Sequence, residues 1–266
     1  MGSGIDVLHD MMDPARACAM QATLGYDPDI TSGSELPPFF HQLYFWTPQP
    51  PDALGRDGHP KTGVDLIPDL GLPRRMWAGG RLRFQRPLIA GLPAERRSVV
   101  DESKMKTGRT GQLGFVTVRH EIQQNDRLCL IEFQDLVYRS DPAPSDPDPS
   151  PPAARRDETD RREFVFDTTL LFRYSALTFN GHRIHYDLSY AHDVEGYGGL
   201  VVHGPLLAQM LMLMAVELNG PLGAFDFRAT SALLHTETAE FCRAGSDLWV
   251  RGPDGRQCLQ ATAHST

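Results

Sequence analysis

The apolar positions are densest over residues 205–218, where Gln209 and Glu217 are the only polar side chains. Pro205 suits the first turn of a helix, and Asn219-Gly220 supplies the stop. A helix apolar on nearly every side must be buried on nearly every side, so the pattern predicts a central rod enclosed by a curved sheet. A shorter helix is predicted over 168–178. Alternation of period two dominates elsewhere, most clearly in Phe115-Val-Thr-Val-Arg-His-Glu-Ile, and marks a sheet with one buried face. Strands are predicted at 81–85, 96–102, 114–123 and 127–138, then at 163–168, 225–234, 238–244, 247–251 and 257–263. Asn125-Asp126 and Pro253-Asp254-Gly255 provide turns. Residues 35–75 are proline-rich and irregular, with Phe39, Phe40, Tyr44, Phe45 and Trp46 as core anchors, after a short mixed segment at 15–25.

Residues 140–162 interrupt both patterns. Six prolines and almost no apolar side chains make this stretch an extended, exposed linker. It separates a first half, 1–139, from a second, 163–266. Both halves are rich in strands, and the expected class is α+β, with a degenerate internal duplication.

The length, 266 residues, suits one large or two modest domains, and 41% apolar content fills a core. A net charge of -8 argues against nucleic acid or an anionic membrane as partner. No apolar run is long enough to cross a bilayer, and the first residues lack the basic, then apolar, make-up of a signal peptide. A cytoplasmic location is expected. Cys18, Cys129, Cys242 and Cys258 form no Cys-x-x-Cys pair, which speaks against a zinc site and for reduced, buried thiols.

The candidate chemistry lies in Phe179-Asn180-Gly181-His182-Arg183-Ile184-His185-Tyr186-Asp187 and in Gly198-Gly199-Leu200-Val201-Val202-His203-Gly204-Pro205. Adding water to an unsaturated thioester needs polarisation of the carbonyl, a base for water and a proton for the α-carbon. Free N–H groups at the helix start, with Gly204 admitting close approach, meet the first need, and His203 lines the same region. His185 meets the second, and Asn180 can hold the water through its amide. The bland reading is a structural loop histidine. His182-x-x-His185 has no third metal ligand at a telling spacing, so no metal is expected.

At these residues the chain resembles the MaoC-like, hydratase-type hot-dog enzymes. Asn180 to His185 and Val201-Val202-His203-Gly204 stand where that family carries its two motifs. The resemblance makes His185 the catalytic histidine, Val202 to Gly204 the thioester-binding segment, and Asn180 the occupant of the usual aspartate position. Phe-Asn-Gly-His-Arg-Ile-His-Tyr-Asp is similar to the branch of 3-methylfumaryl-CoA (mesaconyl-C4-CoA) hydratases and mitochondrial-type 3-hydroxyacyl-thioester dehydratases. Asp57-Gly-His-Pro60, Pro73-Arg-Arg-Met-Trp-Ala-Gly-Gly80 and Lys106-Thr-Gly-Arg-Thr-Gly111 match the same branch. The implied fold is a double hot dog whose N-terminal repeat has lost its central helix, which widens the acyl pocket.

A dicarboxylic acyl group would need a cation, for which Arg75, Arg183 and Arg109 are candidates. The expected activity is a hydro-lyase on an acyl-CoA or acyl carrier protein thioester, working without a cofactor, in a homodimer. A thioesterase and a non-catalytic thioester binder are the competing classes, because one fold hosts many activities.

Overall fold

The computed structural model describes residues 4–63, 66–108, 111–141 and 150–266. Its ten strands form one antiparallel sheet, and their order explains the architecture. The first half contributes β1 (Asp6–Met11), β2 (Arg74–Phe84), β3 (Pro93–Gly108), β4 (Gly111–Gln124) and β5 (Arg127–Arg139). The second contributes β6 (Asp160–Val165), β7 (Leu222–Ala229), β8 (Thr238–Ala244), β9 (Asp247–Arg251) and β10 (Gln257–Ser265). From the outer edge inward, the first half reads β1-β3-β4-β5-β2 and the second β6-β8-β9-β10-β7. Each half thus has the order first, third, fourth, fifth, second. The duplication is plain in topology although the letters do not repeat.

The halves join where their second strands pair, Gly79 opposite Arg228 through Arg83 opposite Ala224. Gly80 is required at this seam: a Cβ there would lie 2.6 Å from the Phe227 ring. The hairpin β4–β5 turns at Asn125 and Asp126, both at positive φ, as a turn matching the twist of its strands needs.

In each half a helix follows the first strand. These are α1 (Pro14–Thr23), capped by Asp13, and α2 (Thr168–Leu177), capped by Asp167, and they pack on each other. The second half adds a short α3 (Leu188–Asp193) and the predicted rod, α4 (Gly204–Asn219). Leu206, Leu207, Ala208, Gln209, Leu211, Met212, Met214 and Ala215 of α4 are buried, and they surround the axis. The first half has no counterpart of α4 among the described residues. Its corresponding stretch holds short 3-10 turns at Phe40–Leu43 and Pro51–Ala53, and the aromatic anchors Phe39, Phe40, Tyr44 and Phe45 are buried there.

Several boundaries move. β2 and β3 are longer than the alternation suggested, and β7 ends at Ala229, because residues 230–234 leave the sheet. β1 and α3 were not expected. Residues 160–162, read as linker, begin β6. Residues 150–159 are irregular but attached: Ala154 N donates to Gly255 O, and Arg155 lies over Trp249. The proline cluster itself, 142–149, falls outside the described residues.

Candidate active site

α2 ends in a left-handed turn at Phe179, whose ring stacks on Trp46 at 5.0 Å. Asn180 N then donates to Ser175 O, and Asn180 Oδ1 accepts from His182 N at 3.0 Å. This use of Oδ1 locks the loop and leaves the amide nitrogen of Asn180 as a donor toward the cavity it lines.

The loop is held from the first half as well. Arg183 N donates to Asp57 O, and Gly58, at φ +88°, lies against Gly181. A Cβ on Gly58 would sit 2.1 Å from Gly181 O, so both positions tolerate only glycine without moving a backbone. The Arg183 guanidinium pairs with Asp187, donates to Arg56 O and covers the Tyr190 ring. These contacts brace the loop, and Arg183, expected to contact substrate, is engaged by Asp187 instead.

His185 is 6% exposed and donates Nδ1–H to Val201 O at 2.7 Å. That bond fixes the tautomer and leaves Nε2 as a proton acceptor. Its ring stacks on His203 at 3.6 Å and 21°. His203 caps the N-terminus of α4, so this contact seats His185 at the amide-rich start of the rod. His203 is fully buried, with Nε2 on Ser175 Oγ at 2.8 Å. It supports His185 from behind rather than lining the cavity. Val202 is likewise core, its N–H taken by Leu233 O. Both had been expected to touch substrate.

The imidazoles continue outward. His182 meets His185 edge-on at 5.4 Å, and His59 lies 4.9 Å from His182. Burial pushes His185 down to about 4, against the opposing pull of the Val201 carbonyl. Burial and the neighbouring His185, Arg75 and Arg74 take His182 down to about 3. Burial, then Arg75, His182 and His185, holds His59 well below the usual range. Burial, then His185 and His182, does the same for His203. The cluster is neutral at pH 7, and His185 is in the form that can take a proton.

The same shifts make stability depend on pH. In the unfolded chain these rings bind protons below about pH 6.5, whereas His182, His185 and His120 (also pushed down to about 4) stay neutral when folded. The unfolded state therefore gains protons first as the pH drops, and stability falls from pH 6.5 toward 4. Thermal melting is expected to show Tm about 10 °C lower at pH 5 than at pH 7. A flat Tm over that interval would contradict buried, neutral histidines.

A cavity of about 870 Å³ lies beside the loop that carries His185. Ser175, Asn180, Gly181, Tyr186 and Pro205 form its near wall, and Arg75 and His59 line it from the first half. Gly204 begins α4 beside Pro205, where a Cβ would meet nothing nearer than Trp77 O at 3.9 Å. Arg109 falls outside the described residues. Ser175 and Tyr174 carry no signal in the letters, because helix α2 holds no motif; only its packing on His203 reveals them.

The central helix and the duplicated sheet order make the molecule a double hot dog, with a cleft beside the start of that helix. A solved double-hot-dog protein of Mycobacterium tuberculosis aligns over 99% of this chain and 95% of its own, with TM-score 0.60 and 14% identity. Residues 39–235 match the family model of hydroxyacyl-thioester dehydratase type 2, and the chain belongs to that family of hydro-lyases. A mesaconyl-C(4)-CoA hydratase of Chloroflexus aurantiacus is 45% identical over 257 residues, covering 93% of this chain and 90% of the relative. The mitochondrial hydroxyacyl-thioester dehydratase type 2 of Schizosaccharomyces pombe is 28% identical, covering 92% of each. No helix among the described residues is long and apolar enough to cross a membrane.

Proposed function

We propose that this protein hydrates an α,β-unsaturated acyl-CoA whose acyl group is short and carries a second carboxylate, mesaconyl-C4-CoA being the leading substrate. The observation that carries the reading is His185, held with Nε2 as acceptor against the start of α4. The 45% identity to a hydratase of that substrate supports the acyl group.

In the proposed reaction the Asn180 amide nitrogen donates to a water, and His185 Nε2 takes a proton from it. The water oxygen bonds to the β-carbon, and the electrons of the double bond move onto the thioester oxygen. The Gly204 N–H and the positive end of α4 stabilise that oxyanion. His185 then returns its proton to the α-carbon, so one water is added and no proton is gained or lost. Asn180 cannot act as a base, which leaves one residue for both transfers. The reaction is redox-neutral, and we propose that it needs no cofactor. Val201 O keeps the imidazolium oriented while it is briefly charged.

Loss of enoyl absorbance tests this with three thioesters: mesaconyl-C4-CoA, crotonyl-CoA and a long-chain 2-enoyl-CoA. The expected order of kcat/KM is mesaconyl-C4-CoA first, by at least about tenfold. Preference for the long chain would favour the fatty-acyl role instead, and release of free CoA thiol would make the protein a thioesterase.

A further inference from the structure

Beyond the histidine pair the cavity reaches the inner face of β3, β4 and β5, the face that no rod covers in the first half. Alternation would put apolar side chains there, as it does at Val116, Val118, Ile122, Leu130 and Leu136. Instead the register brings Ser98 opposite His120 and His120 opposite Glu132. Arg96, Ser98, His120 and Gln134 line the cavity, with Gln42 and Trp77 beside them.

The polar groups are not equally engaged. Ser98 Oγ and His120 Nδ1 are 2.7 Å apart. Glu132 accepts from His41 Nε2 at 3.0 Å and from Gln42 Nε2 at 2.9 Å, so its carboxylate is already served. Burial raises its pKa, but His41, His120 and Gln134 together outweigh that and hold it below the usual carboxylate range. Arg96 is different. It lies over the Phe45 ring, makes only a long 3.4 Å bond to Phe45 O, and has a buried Nε with no partner. Among the described residues no carboxylate is within ion-pairing distance of it. Asp6, opposite Ser98 on β1, is the other acidic group lining this stretch, and it is half-buried.

An alkyl tail placed here would bury these groups against nothing that could bond them. A carboxylate would accept from the guanidinium fork, the one donor group here that lacks a strong partner. We infer that Arg96, with Ser98, His120 and Gln134 around it, seats the free carboxylate of the acyl group and so selects dicarboxylic over fatty enoyl thioesters. The inference rests on the substrate reading above and puts Arg96 in the place for which Arg75, Arg183 and Arg109 were the candidates.

Replacing Arg96 by Met removes the charge at similar length. The ratio of kcat/KM for mesaconyl-C4-CoA to that for crotonyl-CoA is expected to fall about a hundredfold. Arg96→Lys, which keeps the charge but not the fork, should fall part of the way and serves if the Met variant does not fold. An unchanged ratio in a folded variant, or a selective loss in Arg75→Met instead, overturns the assignment while leaving the substrate reading intact. A wild-type enzyme that ignores mesaconyl-C4-CoA overturns both.

Discussion

Replacing His185 by Ala is expected to lower kcat about a thousandfold or more, with less than tenfold change in the Kd of a saturated, unreactive acyl-CoA. The size follows from the arrangement. His185 is the acceptor at the start of α4, its neighbour Asn180 cannot titrate, and His203 is sealed behind it with Nε2 on Ser175. Affinity should survive because binding comes from the cavity wall and the helix start, which the substitution leaves alone. Steady-state rates with mesaconyl-C4-CoA and calorimetric titration with butyryl-CoA separate the two effects. Retention of a tenth of wild-type kcat would remove His185 from the chemistry.

The second large effect is expected at a residue that has no side chain to offer the reaction. Gly58→Ala should cost roughly 2–4 kcal/mol of stability and about a hundredfold in kcat/KM. The new methyl would stand 2.1 Å from Gly181 O, and the residue would carry a side chain at φ +88°. Something must shift, and what lies opposite is the backbone between Asn180 and His182. Gly220→Ala is the fitting control: it shares a positive φ, at +82°, but its Cβ would meet nothing within 4 Å. That variant should lose some stability and little activity. Chemical denaturation and kinetics on both variants check this, and equal activity in the two would mean the loop contact does not matter.

Much of this molecule was legible in its letters. The rod α4 announced itself because an apolar surface on all sides admits one environment, and β4 and β5 followed from alternation. The hot-dog resemblance singled out Asn180, His185 and Gly204; His185 stacks on His203 at the start of α4, and Asn180 lines the cavity. What stayed hidden is equally instructive. β3 runs on to Gly108 through Lys104 and Lys106, whose exposed polar side chains carry no burial signal. β1 is a short edge strand that pairs only with β3. Ser175 acts through a contact with residue 203 that no spacing encodes.

Arg96, Ser98, His120 and Glu132 were readable in principle. His120 falls in phase with Val116, Val118 and Ile122 and so breaks an apolar face. Polar residues in phase with a core deserve suspicion, because burying them costs free energy unless something answers them. Arg183 misled for the opposite reason. It sits inside the motif, yet Asp187 four residues on takes its guanidinium across a turn closed by Asp187 N on Arg183 O.

The seam between β2 and β7 has a consequence for how such an enzyme can change. In a symmetric pair of identical subunits every substitution appears twice, so a mutation that reshapes the binding groove also strikes the copy that performs the reaction. Tethering the two copies in one polypeptide ends that obligation. One copy could shed its rod and recruit charged side chains to recognise new molecules, while the other kept its reaction apparatus untouched.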